Sequence, residues 1–195
     1  MLSMNINPVL RLADADERKI FYAWMKKQFH PGELKSLARI QQLCARGIYC
    51  AYGLWNGETL MAYALLGISP DKRMYLLDYY AVLPKFQDSG WGSRVLTMLR
   101  RELSADAILL EVEHPDYAPN PEELAHFNRR IRFYERNGCR HTSVSLNLFG
   151  FDYAIMTLPV CREISDAEVR RSLESIYRSF LPDQIYRENV HFRNE

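Results

Sequence analysis

The sequence predicts a mixed α/β fold (α+β in its mixing of hairpins and helices), built on a mixed sheet covered by helices on both faces. Two observations carry this: a hairpin signal at Asn56-Gly57 between two apolar, aromatic-rich runs, and later strand patterns that alternate with amphipathic helical stripes.

Taken in order, a short apolar stretch at Val9 to Leu12 comes first. Asp14 followed by Glu17 has the spacing of a capping box, and Ile20, Phe21, Trp24 and Met25 then recur at helical period. His30-Pro31-Gly32 ends that helix. Leu37, Ile40, Leu43 and Cys44 mark a second one, closed by Gly47. Tyr49 to Trp55 and Glu58 to Leu66 are paired strands around the Asn-Gly turn. Arg73 to Val82 is a further strand, with Met74, Leu76, Asp78, Tyr80 and Val82 on one face, and Pro84 stops it. Beyond a glycine-containing loop, Trp91, Val95, Met98, Leu99 and Leu103 form a helical stripe. Ala107 to Glu113 is a strand turning Glu111 and Glu113 to one side. Asn120-Pro121 opens a helix with the stripe Leu124, Phe127, Ile131 and Tyr134, and Gly138 ends it. Strands at Thr142 to Asn147 and Tyr153 to Pro159 follow, then a last helix behind the box Ser165/Glu168, with Val169, Leu173, Ile176, Tyr177 and Phe180 on its apolar face.

The 195 residues fit one domain, and no Pro/Gly/Ser-rich linker divides them. Hydrophobic residues make up 48% and charged ones 25%, which excludes a disordered chain or a disulfide scaffold. A net charge of +1, with acidic residues interleaved among the basic ones, argues against nucleic acid as a partner. The opening MLSMNINPVLRLADADER has no basic flank leading into an apolar run, and no stretch approaches the roughly 20 apolar residues of a membrane span. A cytoplasmic, membrane-free protein is expected. Cys44, Cys50, Cys139 and Cys161 are scattered without zinc or redox spacing, so mostly buried, reduced thiols are expected; His114 and His126 are isolated, and no metal site is predicted.

The chemically suggestive segment is Gln87-Asp88-Ser89-Gly90-Trp91-Gly92, between a strand and a helix. Amides at a helix start lack intrahelical partners, and glycines let the backbone approach a ligand closely. Together with the positive end of the helix dipole, this favours a di-anion such as a pyrophosphate. No Lys-Ser or Lys-Thr follows the second glycine, and the dinucleotide-fold pattern lacks a glycine, so kinase and dehydrogenase readings fall away.

In order along the chain, LDYYAVLPKFQDSGWGSRVLTML and RRIRFYERNGCR resemble the GNAT superfamily of N-acetyltransferases: a strand ending in an apolar-Pro segment, a Q/R-x-x-G-x-G/A loop, and a later helix ending in a Tyr-Glu-x-x-Gly signature. The resemblance implies a mostly antiparallel, splayed sheet and a transferase domain over residues 1–162, with 163–195 a C-terminal helical extension packed on it. Asp88 departs from the small or basic residues commoner in the family, and Cys139 stands where Phe is usual.

The activity implied is transfer of an acetyl group from acetyl-CoA, the only cosubstrate and with no metal, to a primary amine on a small molecule or peptide. Ala81, Val82 and Leu83 would leave backbone groups free for the acyl carbonyl and pantetheine arm. Gln87, Asp88, Ser89, Gly90, Trp91, Gly92 and Ser93 would hold the diphosphate, with Asn128 carried over beside them. Tyr134 takes the family's general-acid position, since a phenol of pKa about 10 stays protonated at neutral pH. An alkyl amine of similar pKa must lose a proton, and Asp78, with Glu111 in reserve, is the candidate base. Arg129, Arg130, Arg132 and Arg136 are expected on a solvated helix face. A catalytically silent CoA-binding module and an enzyme acting on a protein N-terminus or lysine remain as alternatives, and association into a homodimer is left open.

Overall fold

The computed structural model describes residues 7–193. The first six residues of the opening segment, read above as lacking a leader, lie outside that range.

The chain divides into two compact units, Met1–Leu66 with Tyr79–Glu102, and Gly67–Asp78 with Leu103–Glu195. In the first unit, β1 (Val9–Leu12) pairs antiparallel with β2 (Tyr49–Asn56), Val9 opposite Trp55. A two-residue turn leads into β3 (Thr59–Ile68), and the last residues of β4 (Met74–Val82) follow. The turn residues are Gly57 and Glu58, one position later than the sequence suggested. Gly57 has φ +58° and Glu58 is not left-handed, the requirement of a II′ turn rather than of the I′ turn that Asn-Gly favours.

Three helices complete this unit. α1 (Ala15–Gln28) begins at a true capping box: the Asp14 carboxylate accepts from the amides of Asp16 and Glu17, and Glu17 reaches back to the Asp14 amide at 3.1 Å. α2 (Leu37–Ala45) is capped by the Ser36 hydroxyl. Phe21 and Met25 of α1, Ile40 and Leu43 of α2, the β3 run Leu60 to Leu66, and Val95, Leu96 and Leu99 of α3 (Trp91–Glu102) make its core. The Phe21 ring packs against Tyr63 and Trp55, with centroids at 5.5 and 6.1 Å.

The second unit begins with the end of β3 and the first half of β4. Met74 to Leu77 run parallel to Ala107 to Leu110 of β5 (Ala107–Glu113), where the pairing stops. β5 pairs antiparallel along its whole length with β7 (Phe151–Pro159), and β7 with β6 (Arg140–Leu148). Among the described residues the strands thus follow the order β1-β2-β3-β4-β5-β7-β6-β8, a mixed and mostly antiparallel eight-stranded arrangement accompanied by six α-helices.

α4 (Pro121–Arg136) starts at Asn120, whose side chain accepts from the Glu123 amide. α5 (Asp166–Phe180) starts at the Ser165/Glu168 box. Two elements go beyond the sequence reading: α6 (Asp183–Asn189) and β8 (Val190–Phe192), the latter pairing with Leu146 to Leu148 of β6. α5 packs closely on the end of β3. A Cβ built on Gly67 would stand 2.4 Å from the Phe180 ring, so only glycine fits there without a shift.

One ionic network pins the edges of the second unit. The Asp106 carboxylate, 8% exposed, accepts from Arg73 Nε at 2.9 Å and Nη2 at 3.0 Å and from Arg162 Nη2 at 2.9 Å, and Arg162 also reaches Glu168 at 2.7 Å.

Candidate active site

The first unit carries the glycine loop. Leu83 is buried, its amide donating to the Met61 carbonyl at 2.9 Å, and Pro84–Phe86 form one 3₁₀ turn in which the Gln87 amide donates to Pro84 O at 3.3 Å. The Gln87 amide is therefore engaged, contrary to the expectation that it stays free for a phosphate. Asp88 (φ +56°) and Gly90 (φ +78°) are both left-handed. A side chain at Gly90 would meet nothing within 4 Å, so glycine is required there by backbone conformation rather than by crowding. Aspartate is among the few residues that tolerate this region, which gives Asp88 a conformational reason for its place in an exposed turn.

α3 begins at Trp91, and the Arg94 amide bonds the Gly90 carbonyl at 3.2 Å. The amides of Trp91, Gly92 and Ser93 lie in the first helical turn, ahead of that bond and without an intrahelical acceptor. The turn has no acidic residue, and Arg94 stacks on the buried Trp91 ring at 4.6 Å. Ser89 folds its hydroxyl back onto Gln87 O at 3.0 Å.

Beside the loop, the end of β4 is more occupied than the sequence implied. The Val82 carbonyl accepts from two side-chain amides, Gln87 Nε2 at 3.0 Å and Gln28 Nε2 at 3.3 Å, and Gln28 Oε1 in turn accepts from the Tyr63 hydroxyl at 2.7 Å. The expectation of free backbone groups therefore fails at Val82 O and at the Leu83 amide. Ala81 and Val82 are half-buried. The Tyr80 hydroxyl donates to Gly92 O at 2.6 Å, while Tyr79 is buried, its hydroxyl donating to Glu33 O at 2.6 Å and accepting from the Lys35 amide at 2.9 Å.

The second unit carries the acid–base candidates. Tyr134 is 6% exposed on the inner face of α4; burial pushes its phenol up, and the positive charge of Arg130, one helical turn earlier, pulls the other way. Arg130 also pairs with the Glu113 carboxylate. Arg129, Arg132 and Arg136 are exposed as expected, but Arg130 is half-buried and belongs to this cluster instead of the solvated face. The Glu111 carboxylate accepts from the hydroxyl of Tyr177 on α5, a residue the helical stripe marked only as core. Asp78 and Asn128 are half-buried. The signals for Arg130 and Tyr177 were present, in the four-residue spacing to Tyr134 and in a polar tip on an apolar stripe, but neither names its partner across the fold.

His114 and His126 serve locally. His114 Nδ1 accepts from the Asp116 amide at 3.3 Å, and His126 Nδ1 lies 3.2 Å from Arg129 Nη2. Among the described residues no group of three or more His, Cys, Asp or Glu side chains is placed to hold a metal, and no helix is long and apolar enough to cross a membrane. All four cysteines are free thiols; only Cys139 is buried, Cys161 is exposed, and burial pushes Cys50 up to about 12.

No curated protein matches the sequence. Solved structures that share the fold include the following three. A protein of the GNAT family from Bacteroides thetaiotaomicron is 20% identical, with a TM-score of 0.65 over 87% of this chain and 97% of that one. The ribosomal-protein-S18-alanine N-acetyltransferase of Escherichia coli is 20% identical, with a TM-score of 0.57 over 82% and 97%. The spermidine N-acetyltransferase of Vibrio cholerae, in complex with CoA and spermine, is 14% identical, with a TM-score of 0.55 over 80% and 96%. The model of the Acetyltransferase (GNAT) family matches residues 18–139, more than half of the chain and including both the glycine loop and the tyrosine helix, so this protein belongs to the GNAT acetyltransferase family.

Proposed function

We propose that this protein transfers an acetyl group from acetyl-CoA directly to a primary amine. The observation that carries the reading is the turn at Gly90: a left-handed glycine with open space beside it, followed by three amides without intrahelical acceptors at the positive end of α3. A CoA diphosphate matches such a donor set in charge and in hydrogen-bonding sense. The Gln87 side chain contributes as well, because its amide can exchange the Val82 carbonyl for a pantetheine or phosphate acceptor.

In the reaction the amine lone pair attacks the thioester carbonyl, the carbon–sulfur bond breaks as the amide forms, and one amine proton must leave. Tyr134 supplies a proton to the departing thiolate and is restored from solvent. Asp78 takes the amine proton, directly or through water. Glu111 stands in reserve, its carboxylate already accepting from the Tyr177 hydroxyl. Direct transfer is favoured over a covalent intermediate: burial raises the thiols of Cys44 and Cys50, which lowers their thiolate fraction.

The four free cysteines suit a reducing, cytoplasmic setting. The family match ends at Cys139, consistent with residues 163–195 being an addition to a transferase domain of residues 1–162. The similar solved structures act on a protein alanine and on a polyamine, so both kinds of amine belong in the test. Thiol release from acetyl-CoA is followed with and without spermidine, simple alkylamines and N-terminal peptides. An amine-stimulated rate that falls at least about tenfold in Tyr134→Phe supports the reading. Binding of acetyl-CoA with no stimulation by any amine would indicate a silent CoA-binding module instead.

A further inference from the structure

The Val82 carbonyl at the end of β4 accepts from two side-chain amides of unlike standing, and all three residues belong to the first unit. Gln87 reaches the carbonyl at 3.0 Å from an exposed position five residues along the chain. Gln28, half-buried as the last residue of α1, reaches it at 3.3 Å across 54 residues. The other end of the Gln28 amide is held as well. Its Oε1 accepts from the Tyr63 hydroxyl at 2.7 Å, and Tyr63 is fully buried on β3 with its ring stacked on Phe21 at 5.5 Å.

The chemistry of these groups fixes which way the Gln28 amide faces. A backbone carbonyl can only accept, so the NH2 group must face Val82 and the amide oxygen must face Tyr63, whose hydroxyl then donates. Turning the amide over would set oxygen against oxygen at Val82. Burial also pushes the Tyr63 phenol up, which keeps its hydrogen in place at ordinary pH. Withdrawing Gln28 would orphan the hydroxyl of a fully buried tyrosine, a cost that the release of Gln87 into water does not carry.

A carbonyl oxygen has two lone pairs. At Val82 one is assigned to an anchored donor and the other to a donor that a ligand can replace. We propose that Gln28 is a positioning residue for the cofactor: anchored on Tyr63, it holds the Val82 carbonyl while the second lone pair passes from Gln87 to an amide N–H of the pantetheine arm. The arm's amides donate in the same sense as the side chain they displace, so a hydrogen bond is exchanged rather than lost. The inference rests on acetyl-CoA being the ligand, as proposed above, and involves only groups of the first unit.

The test compares two ligands by calorimetry on the full chain: CoA, and adenosine 3′-phosphate 5′-diphosphate, which keeps the nucleotide and diphosphate of CoA and lacks the arm. In Gln28→Leu the affinity for CoA falls about five- to tenfold, while that for the armless nucleotide stays within about twofold of wild type. Gln28→Glu keeps an acceptor for Tyr63 but turns a second acceptor toward Val82; it loses CoA at least as strongly and is the second variant should Gln28→Leu not fold. Tyr63→Phe, which frees the anchored end, lowers CoA affinity by about twofold to fivefold. The contact itself is read with 13C-valine and 15N-leucine labelling, which leaves three Val-Leu pairs, Val9-Leu10, Val82-Leu83 and Val95-Leu96. The Val82 carbonyl resonance, assigned by its loss in Val82→Ile, moves upfield in Gln28→Leu while the Val9 and Val95 carbonyls stay in place. An unmoved Val82 resonance, wild-type CoA affinity in the Gln28 variants or in Tyr63→Phe, or equal losses for CoA and the armless nucleotide overturn the proposal. Failure of the wild-type protein to bind CoA would instead remove the ligand reading, and the carbonyl resonance reads the Gln28 contact whether or not it does.

Discussion

The Tyr80 hydroxyl donates to the Gly92 carbonyl at 2.6 Å, tying the first turn of α3 to the end of β4 across twelve residues of chain. The carbonyl engaged lies in the first turn of α3, among the residues whose amides are proposed to meet the diphosphate, so the bond ties strand and loop together. Tyr80→Phe keeps the ring and removes the bond. It is expected to destabilise the protein by about 1 kcal/mol in urea denaturation and to weaken acetyl-CoA binding several-fold by calorimetry, with kcat at saturation changing less.

Gly90 gives a sharper test because its φ of +78° is unfavourable for any residue with a Cβ, by roughly 1–2 kcal/mol. Gly57 has a similar φ of +58° at the β2–β3 hairpin, and a Cβ added there would likewise meet nothing within 4 Å. Gly90→Ala and Gly57→Ala should therefore lose similar stability in denaturant melts, while only Gly90→Ala loses acetyl-CoA affinity. Equal affinities in the two variants would contradict a role for the loop backbone.

Gly67→Ala probes packing without touching the loop or Tyr134. The added methyl group meets the ring of Phe180, the last residue of α5 and 2% exposed, so the helix or the ring must shift. A loss of about 1–3 kcal/mol by urea denaturation is expected.

The pH dependence of stability should show the Arg162–Glu168 pair. Arg162 and the Ser165 amide and hydroxyl hold the Glu168 carboxyl down to about 2, below its ordinary value near 4.5. A depressed folded-state pKa gives stability that is present above the unfolded value and lost as pH falls through the folded one. The difference in melting temperature between wild type and Glu168→Gln should be constant above about pH 5 and shrink between about pH 4.5 and 2. A difference that grows on acidification would contradict the assignment.

The parts of this fold legible in the sequence are those written locally. Asp14/Glu17, Asn120-Pro121 and Ser165/Glu168 announced their helices because a cap is made within three residues. Asn56-Gly57 located the hairpin to within one residue, the shift arising because only Gly57 takes the left-handed conformation. α6 and β8 escaped because a seven-residue helix has little periodicity and a three-residue strand is defined only by its pairing with β6.

The site divides the same way. The Gly90 turn could be read from adjacent residues, whereas the Val82 carbonyl is taken by Gln28 from 54 residues away and Glu111 by Tyr177 from 66 away. Such contacts depend on which elements the sheet brings together, and periodicity carries no information about them. Arg130 was misread for this reason: its partner Glu113 is 17 residues earlier on another element, and on the helix alone it is one arginine among four.

If main-chain amides at the start of α3 bind the CoA diphosphate, a 15N–1H NMR titration of the full chain with CoA reads that contact without intermediaries. Saturable shifts are expected, concentrated at the amides of Asp88 through Ser93, with Gly57 and Gly150 unmoved as references in other turns. Unperturbed amides in that stretch at millimolar CoA, or shifts confined to other segments, would contradict it.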